Sequence, residues 1–383
     1  MREYLLTAVV AAAVTYLLTP IARRIALRWG AITPVRDRDV HAVPTPRLGG
    51  LAMIAGFGAA MLVANSMPFL GPRLYGGDIM AVLSGAFLVC LLGIADDRWE
   101  LDALTKLAGQ VLAAGVMVLQ GVQMLFLPVG GLVSSSDDIP GAVALGPPEG
   151  SALTVLLIVL TINAVNFVDG LDGLAAGIVG IAAAAFFVFS YLLTVDEGLL
   201  RATTAGVVAA ALIGVCAGFL PHNFSPARIF MGDSGSMLIG LLLATTTITL
   251  TGSVNPNDIG TDITPALVPL LLPIAVMVVP FLDVVLAIAR RTLAGRSPFA
   301  PDKLHLHHRL LERGHSHARA VLVMYLWSAV LAFGATAVAF LDTRTLVVSV
   351  AAVGVVALLL TMNLPRLRRQ EGEFTAAFRR RAR

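Results

Sequence analysis

The chain has 383 residues, of which 57% are hydrophobic and 13% are charged, with a mean hydropathy of +0.85 and a formal net charge of +3. A soluble domain has about 25% charged residues, and a disordered chain has low hydrophobicity, so both classes are excluded. The length suffices for about ten to twelve membrane spans of ~20 residues each. The composition therefore predicts a polytopic membrane protein.

Eleven apolar segments follow one another along the chain, and each is long enough to cross or nearly cross the membrane as a helix. They are residues 5–21, 48–66, 79–95, 104–127, 152–168, 174–194, 202–220, 235–251, 266–289, 318–341 and 346–362. The first could be a signal peptide, but no clear A-x-A cleavage site follows it and the next loop is strongly basic. We therefore predict an all-α polytopic integral membrane protein with about 11 transmembrane helices.

The basic residues predict the orientation of these spans. Of the 27 Lys and Arg residues, 23 lie in or beside the odd-numbered loops and in the C-terminal tail; the other four are Arg2, Arg73, Arg201 and Arg344. By the positive-inside rule, the N-terminus lies outside and the C-terminus is cytoplasmic, in the inner membrane. We divide the chain into one transmembrane domain, residues 1–365, and a basic tail, residues 366–383. The tail is typical of a segment that rests on anionic lipid rather than on nucleic acid.

A first polar group lies where the third apolar segment ends. Asp96 and Asp97 are adjacent there, and Lys106 follows at the start of the fourth segment. Neighbouring carboxylates repel each other unless a cation or a proton is shared between them. A divalent metal bound together with phosphate oxygens is one solution. For this pair alone, a solvated helix cap is the favoured interpretation.

A second polar group ends the fifth segment. Asn163, Asn166 and Asp169 are spaced by three residues, so they share one helical face, and Asp172 follows between two glycines. An Asn/Asp/Gly turn between two helices explains the stretch from Asp169 onwards. It does not explain two asparagines that face one way inside an apolar segment. The pattern therefore favours ligand binding.

A third group contains Asn223 and, at the start of the eighth segment, Asp233. An aspartate in that position could simply cap the helix. The same helix N-terminus would also favour a bound phosphate. The stretch alone leaves the two interpretations equal.

A fourth group lies in the ninth loop and contains Arg290, Arg291, His305, His307 and His308. Zinc would need further ligands that the chain does not offer nearby. Histidine and arginine together suit diphosphate binding and proton handling, and a solvated amphipathic loop is the alternative. By the predicted orientation, all four groups lie on the cytoplasmic face.

These stretches, taken together, resemble a known family. The matching segments are PTPRLGG at residues 44–50, Asp96-Asp97, residues 163–174, FMGDSG at residues 230–235 and PDKLHLHH at residues 301–308. The chain resembles the polyprenyl-phosphate N-acetylhexosamine-1-phosphate transferases, of the glycosyltransferase family 4 type. It is most similar to the bacterial undecaprenyl- or decaprenyl-phosphate N-acetylglucosaminyl-1-phosphate branch.

The resemblance implies an Mg²⁺-dependent enzyme, in which Mn²⁺ could substitute. Such an enzyme moves N-acetylglucosamine 1-phosphate from UDP-N-acetylglucosamine to a polyprenyl phosphate, releases UMP and begins a cell-envelope polysaccharide. Residues 1–365 would be its catalytic domain. The partners implied are the UDP-sugar, the lipid and the membrane, with no nucleic acid, and a homodimer is left open. Alternatives are a phospho-N-acetylmuramoyl-pentapeptide transferase-like use of another UDP-sugar, or a transporter of lipids or nucleotide sugars. A transporter would place polar groups near the bilayer midplane, which disfavours it.

Roles for individual residues follow as a hypothesis. The catalytic set is Asp96, Asp97, Asp233, His305 and His308, and Asp233 and Asp97 are the expected metal ligands. Substrate binding is assigned to Lys106, Asn163, Asn166, Asp169, Asp172, Asn223, Arg290, Arg291 and His307. Phosphoryl transfer depends mainly on positioning and charge neutralisation, which is why acids, amides and cations are chosen.

Overall fold

The computed structural model of the protein describes residues 1–33, 44–74, 76–128, 143–196, 202–252, 267–278 and 317–361. Its helices are α1 (Arg2–Trp29), α2 (Gly49–Ser66), α3 (Gly76–Trp99), α4 (Ala103–Leu119), α5 (Pro147–Val168), α6 (Leu174–Asp196), α7 (Ala202–Asn223), α8 (Gly232–Thr251), α9 (Leu267–Val278), α10 (His317–Ala337) and α11 (Thr343–Thr361). Strands β1 (Ile32–Thr33) and β2 (Thr45–Pro46) pair antiparallel, as do β3 (Phe126–Leu127) and β4 (Val143–Ala144).

The helices confirm the predicted all-α polytopic membrane fold. Within the described residues, nine helices are long and apolar enough to cross a membrane. The shorter apolar helices α4 and α9 overlap the fourth and ninth predicted segments, and residues 279–289 of the ninth lie outside the described residues. Each of the eleven predicted segments therefore has a helix. The side of the membrane on which each terminus lies stays a prediction.

The fourth predicted segment was wrong at its C-terminal end. It was expected to continue to residue 127, but α4 ends at Leu119 and Phe126–Leu127 forms strand β3. The Gln120 N–H donates to the carbonyl groups of Met117 and Val118, which closes the last helical turn. Residues 122–127 are as apolar as a span, so hydropathy alone could not detect that the backbone leaves the helix there.

Helix α8 lies at the centre of the bundle. Almost all of its residues are buried, and it packs against α2, α3, α5 and α7, whereas α11 is mostly exposed. Close helix packing in membranes relies on small residues that let backbones approach. Gly93 of α3 is such a residue, because a Cβ built on it would lie only 2.4 Å from the Cα and N atoms of Ser234. The end of α3 is thereby held directly against the beginning of α8.

We expect Gly93→Ala to destabilise the protein, because the added methyl group would force α3 away from the backbone of α8. Overpacking of this kind costs about 1–3 kcal/mol. Gly58→Ala in α2 is the matched control, since a Cβ there meets no atom within 4 Å. Thermal unfolding in detergent should show a lower Tm for Gly93→Ala only. Equal Tm values for both variants would contradict the proposed close contact.

Candidate active site

The end of α3 caps the beginning of α8. The Asp97 carboxylate accepts hydrogen bonds from the backbone N–H groups of Asp233 (2.9 Å) and Ser234 (3.1 Å) and from the Ser234 hydroxyl (2.8 Å). The first N–H groups of a helix have no partner within the helix, and they carry a partial positive charge. Asp97 is only 3% exposed, so it supplies both the missing acceptors and the compensating charge inside the protein.

Gly232 makes this cap sterically possible. Its φ of +68° is in the left-handed region that glycine adopts without strain. A Cβ at this position would lie 2.4 Å from an oxygen of the Asp97 carboxylate. The residue before Asp233 must therefore be glycine, both for its backbone angle and for the space that Asp97 occupies.

Asp233, immediately after this turn, receives side chains from two neighbouring helices. Lys106 Nζ of α4 lies 3.1 Å from Asp233 Oδ2, and Asn166 Nδ2 of α5 donates to Asp233 Oδ1 at 2.9 Å. Asn166 Nδ2 also lies 2.9 Å from the buried Ser236 hydroxyl. Three helices therefore converge on one carboxylate, which remains partly accessible, with 26% of its side chain exposed.

Asp96 completes the cluster from α3. Its Oδ2 lies 2.7 Å from Lys106 Nζ, and its Oδ1 accepts the Leu101 N–H at 2.8 Å. The Lys106 ammonium thus bridges the carboxylates of Asp96 and Asp233. Because consecutive helical residues point about 100° apart, Asp96 faces this bridge while Asp97 faces the turn before α8.

Asn163 lies one helical turn before Asn166 on α5. Its amide Nδ2 donates to Gln110 Oε1 of α4 at 2.7 Å and to the Val159 carbonyl at 2.8 Å. Gln110 is 1% exposed, whereas Asn163 is exposed. A neutral contact between α4 and α5 therefore lies next to the charged cluster.

The loop after α5 is held by the loop after α7. Asn223 is buried; its Oδ1 accepts the Gly173 N–H at 3.0 Å and its Nδ2 donates to the Ile229 carbonyl at 3.1 Å. Asp172 Oδ2 accepts the Ala227 N–H at 3.0 Å. Asn223 therefore uses its amide within the protein, although the sequence assigned it to substrate binding. That assignment stays a prediction, and its contacts favour a structural role.

The segment before α2 fixes the loop before α8. The N–H groups of Gly49 and Gly50 donate to the carbonyl oxygens of Phe230 (3.1 Å) and Met231 (3.0 Å), and the Phe230 N–H donates to the Pro46 carbonyl at 2.9 Å. This explains why residues 44–50 and 230–235 occur together as motifs. Each supplies the backbone partners of the other.

Asp169 lies at the end of α5, within electrostatic range of the cluster. Burial, followed by the negative charges of Asp233, Asp97 and Asp172, raises the pKa of Asp169 to about 8. Asp169 is therefore largely protonated at neutral pH, whereas the carboxylates of Asp96 and Asp233 share one ammonium group, that of Lys106, and the carboxylate of Asp97 has no ammonium partner among the described residues. The described part of the site has an excess of negative charge that a further cation would relieve.

The donor atoms suit a magnesium ion that also binds phosphate. Within the described residues, no group of three or more His, Cys, Asp or Glu side chains could hold a metal by itself. Mg²⁺ usually takes only one or two carboxylates and completes its shell with phosphate oxygens and water. Asp233, Asp96 and the carbonyl oxygen of Asn166 provide such hard oxygen donors. The carboxylate oxygens of Asp97 already accept three hydrogen bonds. These contacts do not favour Asp97 as a metal ligand, and that role stays a prediction.

Of the residues assigned from the sequence, the structure brings together Asp96, Asp97, Lys106, Asn166 and Asp233, with Asn163 and Asp169 beside them. Arg290, Arg291, His305, His307 and His308 lie outside the described residues. Sequence reasoning missed Gln110, Ser234 and Ser236. Gln110 carried a usable signal, because it is polar within an apolar segment and four residues after Lys106, on the same helical face.

An apolar groove opens beside the polar cluster, between α5, α8 and α9. Its volume is about 320 Å³, and its walls are Leu157, Leu160, Thr161, Ala164, Ala244, Thr247, Leu270, Pro273, Ile274, Met277 and Val278. Ala164 lies between Asn163 and Asn166 in sequence, so the groove begins within one turn of the polar residues of α5. The arrangement suits a ligand with a charged head and a hydrocarbon tail.

Comparison of the sequence with known proteins identifies the family of the chain. The sequence matches glycosyl transferase family 4 over residues 79–251, which include all the described cluster residues. It is 48% identical to a decaprenyl-phosphate N-acetylglucosaminephosphotransferase of Mycolicibacterium smegmatis, over 96% of this chain and 90% of that protein. The chain belongs to glycosyl transferase family 4.

Two further relatives carry names of related transferases. A probable undecaprenyl-phosphate N-acetylglucosaminyl 1-phosphate transferase of Bacillus subtilis is 33% identical, over 81% of this chain and 78% of that protein. A phospho-N-acetylmuramoyl-pentapeptide-transferase of Desulforudis audaxviator is also 33% identical, over 84% of this chain and 95% of that protein. The family resemblance predicted from the motifs is therefore confirmed.

We expect Asp97→Asn to destabilise the protein strongly, since an amide offers one acceptor oxygen instead of two and carries no charge. Hydrogen bonds to charged groups contribute about 1.5–3 kcal/mol each, so the Tm should fall markedly. Asp102→Asn is the matched control, because the exposed Asp102 caps α4 and asparagine caps a helix equally well. If Asp97→Asn melts like the control, the cap does not stabilise α8.

Proposed function

We propose that the protein transfers N-acetylglucosamine 1-phosphate from UDP-N-acetylglucosamine to a polyprenyl phosphate, decaprenyl or undecaprenyl. A phosphate oxygen of the lipid forms a bond to the phosphorus next to the sugar. The bond from that phosphorus to the bridging oxygen breaks, and UMP leaves. The observation that carries this proposal is the cluster of Asp96, Lys106, Asn166 and Asp233 beside an apolar groove, in a chain whose relatives bear names of this reaction.

The groove suits the lipid acceptor. Its lining is apolar apart from two threonines, and one of its lining residues, Ala164, lies between Asn163 and Asn166 on α5. Prenyl units would fill it, while the phosphate of the lipid would approach Asp96 and Lys106. A lipid phosphate is already largely ionised at neutral pH, because its second pKa is about 6. Asp96 therefore needs only to orient it, and a strong base is not required.

Lys106 and Asp233 would handle the diphosphate. The Lys106 ammonium already bridges two carboxylates, so it is a cation to which phosphate oxygens could bind in place of one of them. Asp233, with Asp96 and Asn166 nearby, would hold Mg²⁺, and Mn²⁺ could substitute. When bound, the ion would offset the negative charge of the two phosphates during transfer. The predicted roles of His305, His308, Arg290 and Arg291 in diphosphate binding remain part of this proposal.

We expect Asp233→Asn to reduce UMP release by at least about a hundredfold while the Tm changes little. The substitution removes the central charge but keeps the shape of the side chain and an acceptor for Asn166. The measurement is UMP release by purified protein from UDP-N-acetylglucosamine with Mg²⁺ and decaprenyl phosphate. Wild-type activity of this variant at ordinary Mg²⁺ would refute the role assigned to Asp233.

A donor panel tests the substrate itself. The Desulforudis relative makes UDP-N-acetylmuramoyl-pentapeptide a specific second candidate, so both nucleotide sugars are compared at equal concentration. We expect UMP release only with UDP-N-acetylglucosamine. Turnover of the pentapeptide substrate alone would replace the proposed donor. A wild-type protein that releases no UMP from any UDP-sugar would refute the transferase proposal.

We place the site on the cytoplasmic face of the inner membrane, because UDP-sugars are made in the cytoplasm. Arg98 lies beside the cluster at the end of α3, and Thr343 begins α11 at the opposite end of the bundle; both are exposed. In a background without Cys90 and Cys216, Arg98→Cys should resist a membrane-impermeant thiol reagent in intact cells. Thr343→Cys should react, provided that the reagent passes any outer envelope. The reverse pattern would invert the orientation and contradict the proposed access to UDP-sugars.

A further inference from the structure

The orientation of the Asn163 amide is fixed by its surroundings. The Val159 carbonyl, 2.8 Å away, can only accept a hydrogen bond, so the atom of Asn163 that faces it must be Nδ2. The same Nδ2 lies 2.7 Å from Gln110, so the Gln110 atom that faces it must be Oε1. The Val159 carbonyl thus identifies which atom of each amide makes the contact, and Gln110 Oε1 is the second acceptor that holds Asn163 Nδ2.

The carbonyl oxygen Oδ1 of Asn163 takes no part in these contacts. Within the described residues, Asn163 donates twice through Nδ2, and no donor contacts its Oδ1. Asn163 is exposed, so this carbonyl oxygen is available to a ligand. Gln110, in contrast, is 1% exposed, and its Nε2 lies 4.0 Å from the sulfur of Met237. The buried Gln110 therefore holds the exposed Asn163.

We propose that Gln110 is a positioning residue that presents Asn163 Oδ1 as an acceptor for an N–H group of the donor substrate. This rests on the proposed function. UDP-N-acetylglucosamine carries two such groups, the ring N–H of uracil and the acetamido N–H of the sugar. A phosphate oxygen is excluded as the partner of Oδ1, because two acceptors repel each other. We therefore assign Oδ1 of Asn163 to an N–H group of the base or of the sugar.

The positions of the polar residues on α4 and α5 support a separation between phosphate binding and contact with an N–H group. Lys106 and Gln110 are one turn apart on α4, and Asn166 and Asn163 are one turn apart on α5. The pair Lys106 and Asn166 contacts the charged Asp233, whereas the pair Gln110 and Asn163 is neutral. A charged layer for phosphates thus lies next to a neutral layer, where amide groups of a ligand would be matched.

The test uses the purified full-length protein and the UMP-release assay. Gln110→Met keeps a side chain of similar length without an acceptor, and Asn163→Ala removes the acceptor itself. We expect each to raise the KM for UDP-N-acetylglucosamine about five- to tenfold, the range of one neutral hydrogen bond, with kcat changed less than about twofold. The double variant should be no worse than either single variant, because both act through one contact.

The control is Gln120→Met, the same substitution just after the C-terminal end of α4, where Gln120 contacts Ser84 and the Val116 carbonyl. It should leave KM unchanged. Asn163 is exposed, so Asn163→Ala tests the proposal even if Gln110→Met does not fold. Inhibition by UMP separates the two N–H groups: Asn163→Ala weakens it if the partner is uracil and leaves it unchanged if the partner is the acetamido group.

Three results would overturn the inference. One is an unchanged KM in Asn163→Ala. Another is additive effects of Gln110→Met and Asn163→Ala, which would mean that Gln110 does not act through Asn163. The third is a raised Mg²⁺ requirement with an unchanged KM for the sugar nucleotide, which would place Oδ1 on the cation. These outcomes all require an active wild type, so they are distinct from failure of the proposed reaction.

Discussion

The site depends on how the first turn of a buried helix is satisfied. The N-terminal N–H groups of α8 lie inside the protein, where unpaired donors cost several kcal/mol in the absence of water. Asp97 meets this requirement with one buried carboxylate, and the turn at Gly232 leaves room for it. Because the cap fixes α3 against α8, it also fixes the distance between Asp96 and Asp233. The reactive cluster is thus a consequence of helix capping.

The same arrangement leaves the site with unbalanced charge. Lys106 supplies one ammonium group for the two carboxylates of Asp96 and Asp233, and the helix N-terminus offsets only part of the charge of Asp97, so negative charge remains in excess among the described residues. Such a cluster is less stable than a neutral one would be. It is suited to a divalent cation with a diphosphate, which together would complete the charge balance. The charge cluster therefore lowers the stability of the protein at the place where a cation and a diphosphate would bind.

Hydropathy located the helices because their length and composition are set by the membrane itself. It failed at the end of α4, where residues 122–127 are apolar but form a loop and a strand. The site was harder to predict. Asp96 and Asp97 are identical neighbours, yet one faces Lys106 and the other caps α8, because a helix turns about 100° per residue. Asn223 looks like a ligand residue in the sequence, but its amide joins two loops. Such differences depend on tertiary contacts that no local pattern records.

The layers of the site also follow from the cost of burying charge. Lys106, Asp96 and Asp233 lie near the ends of their helices, and Lys106 and Asp233 are partly exposed there. One turn further along α4, the chain uses Gln110, which is fully buried and uncharged, and its amide is matched by Asn163. A charge at Gln110 would need a partner there, whereas a neutral amide needs only hydrogen bonds. The neutral pair Gln110 and Asn163 therefore lies one turn further from the helix ends than the charged residues do. A nucleotide sugar bound across both layers would meet cations at its phosphates and an amide at its N–H groups.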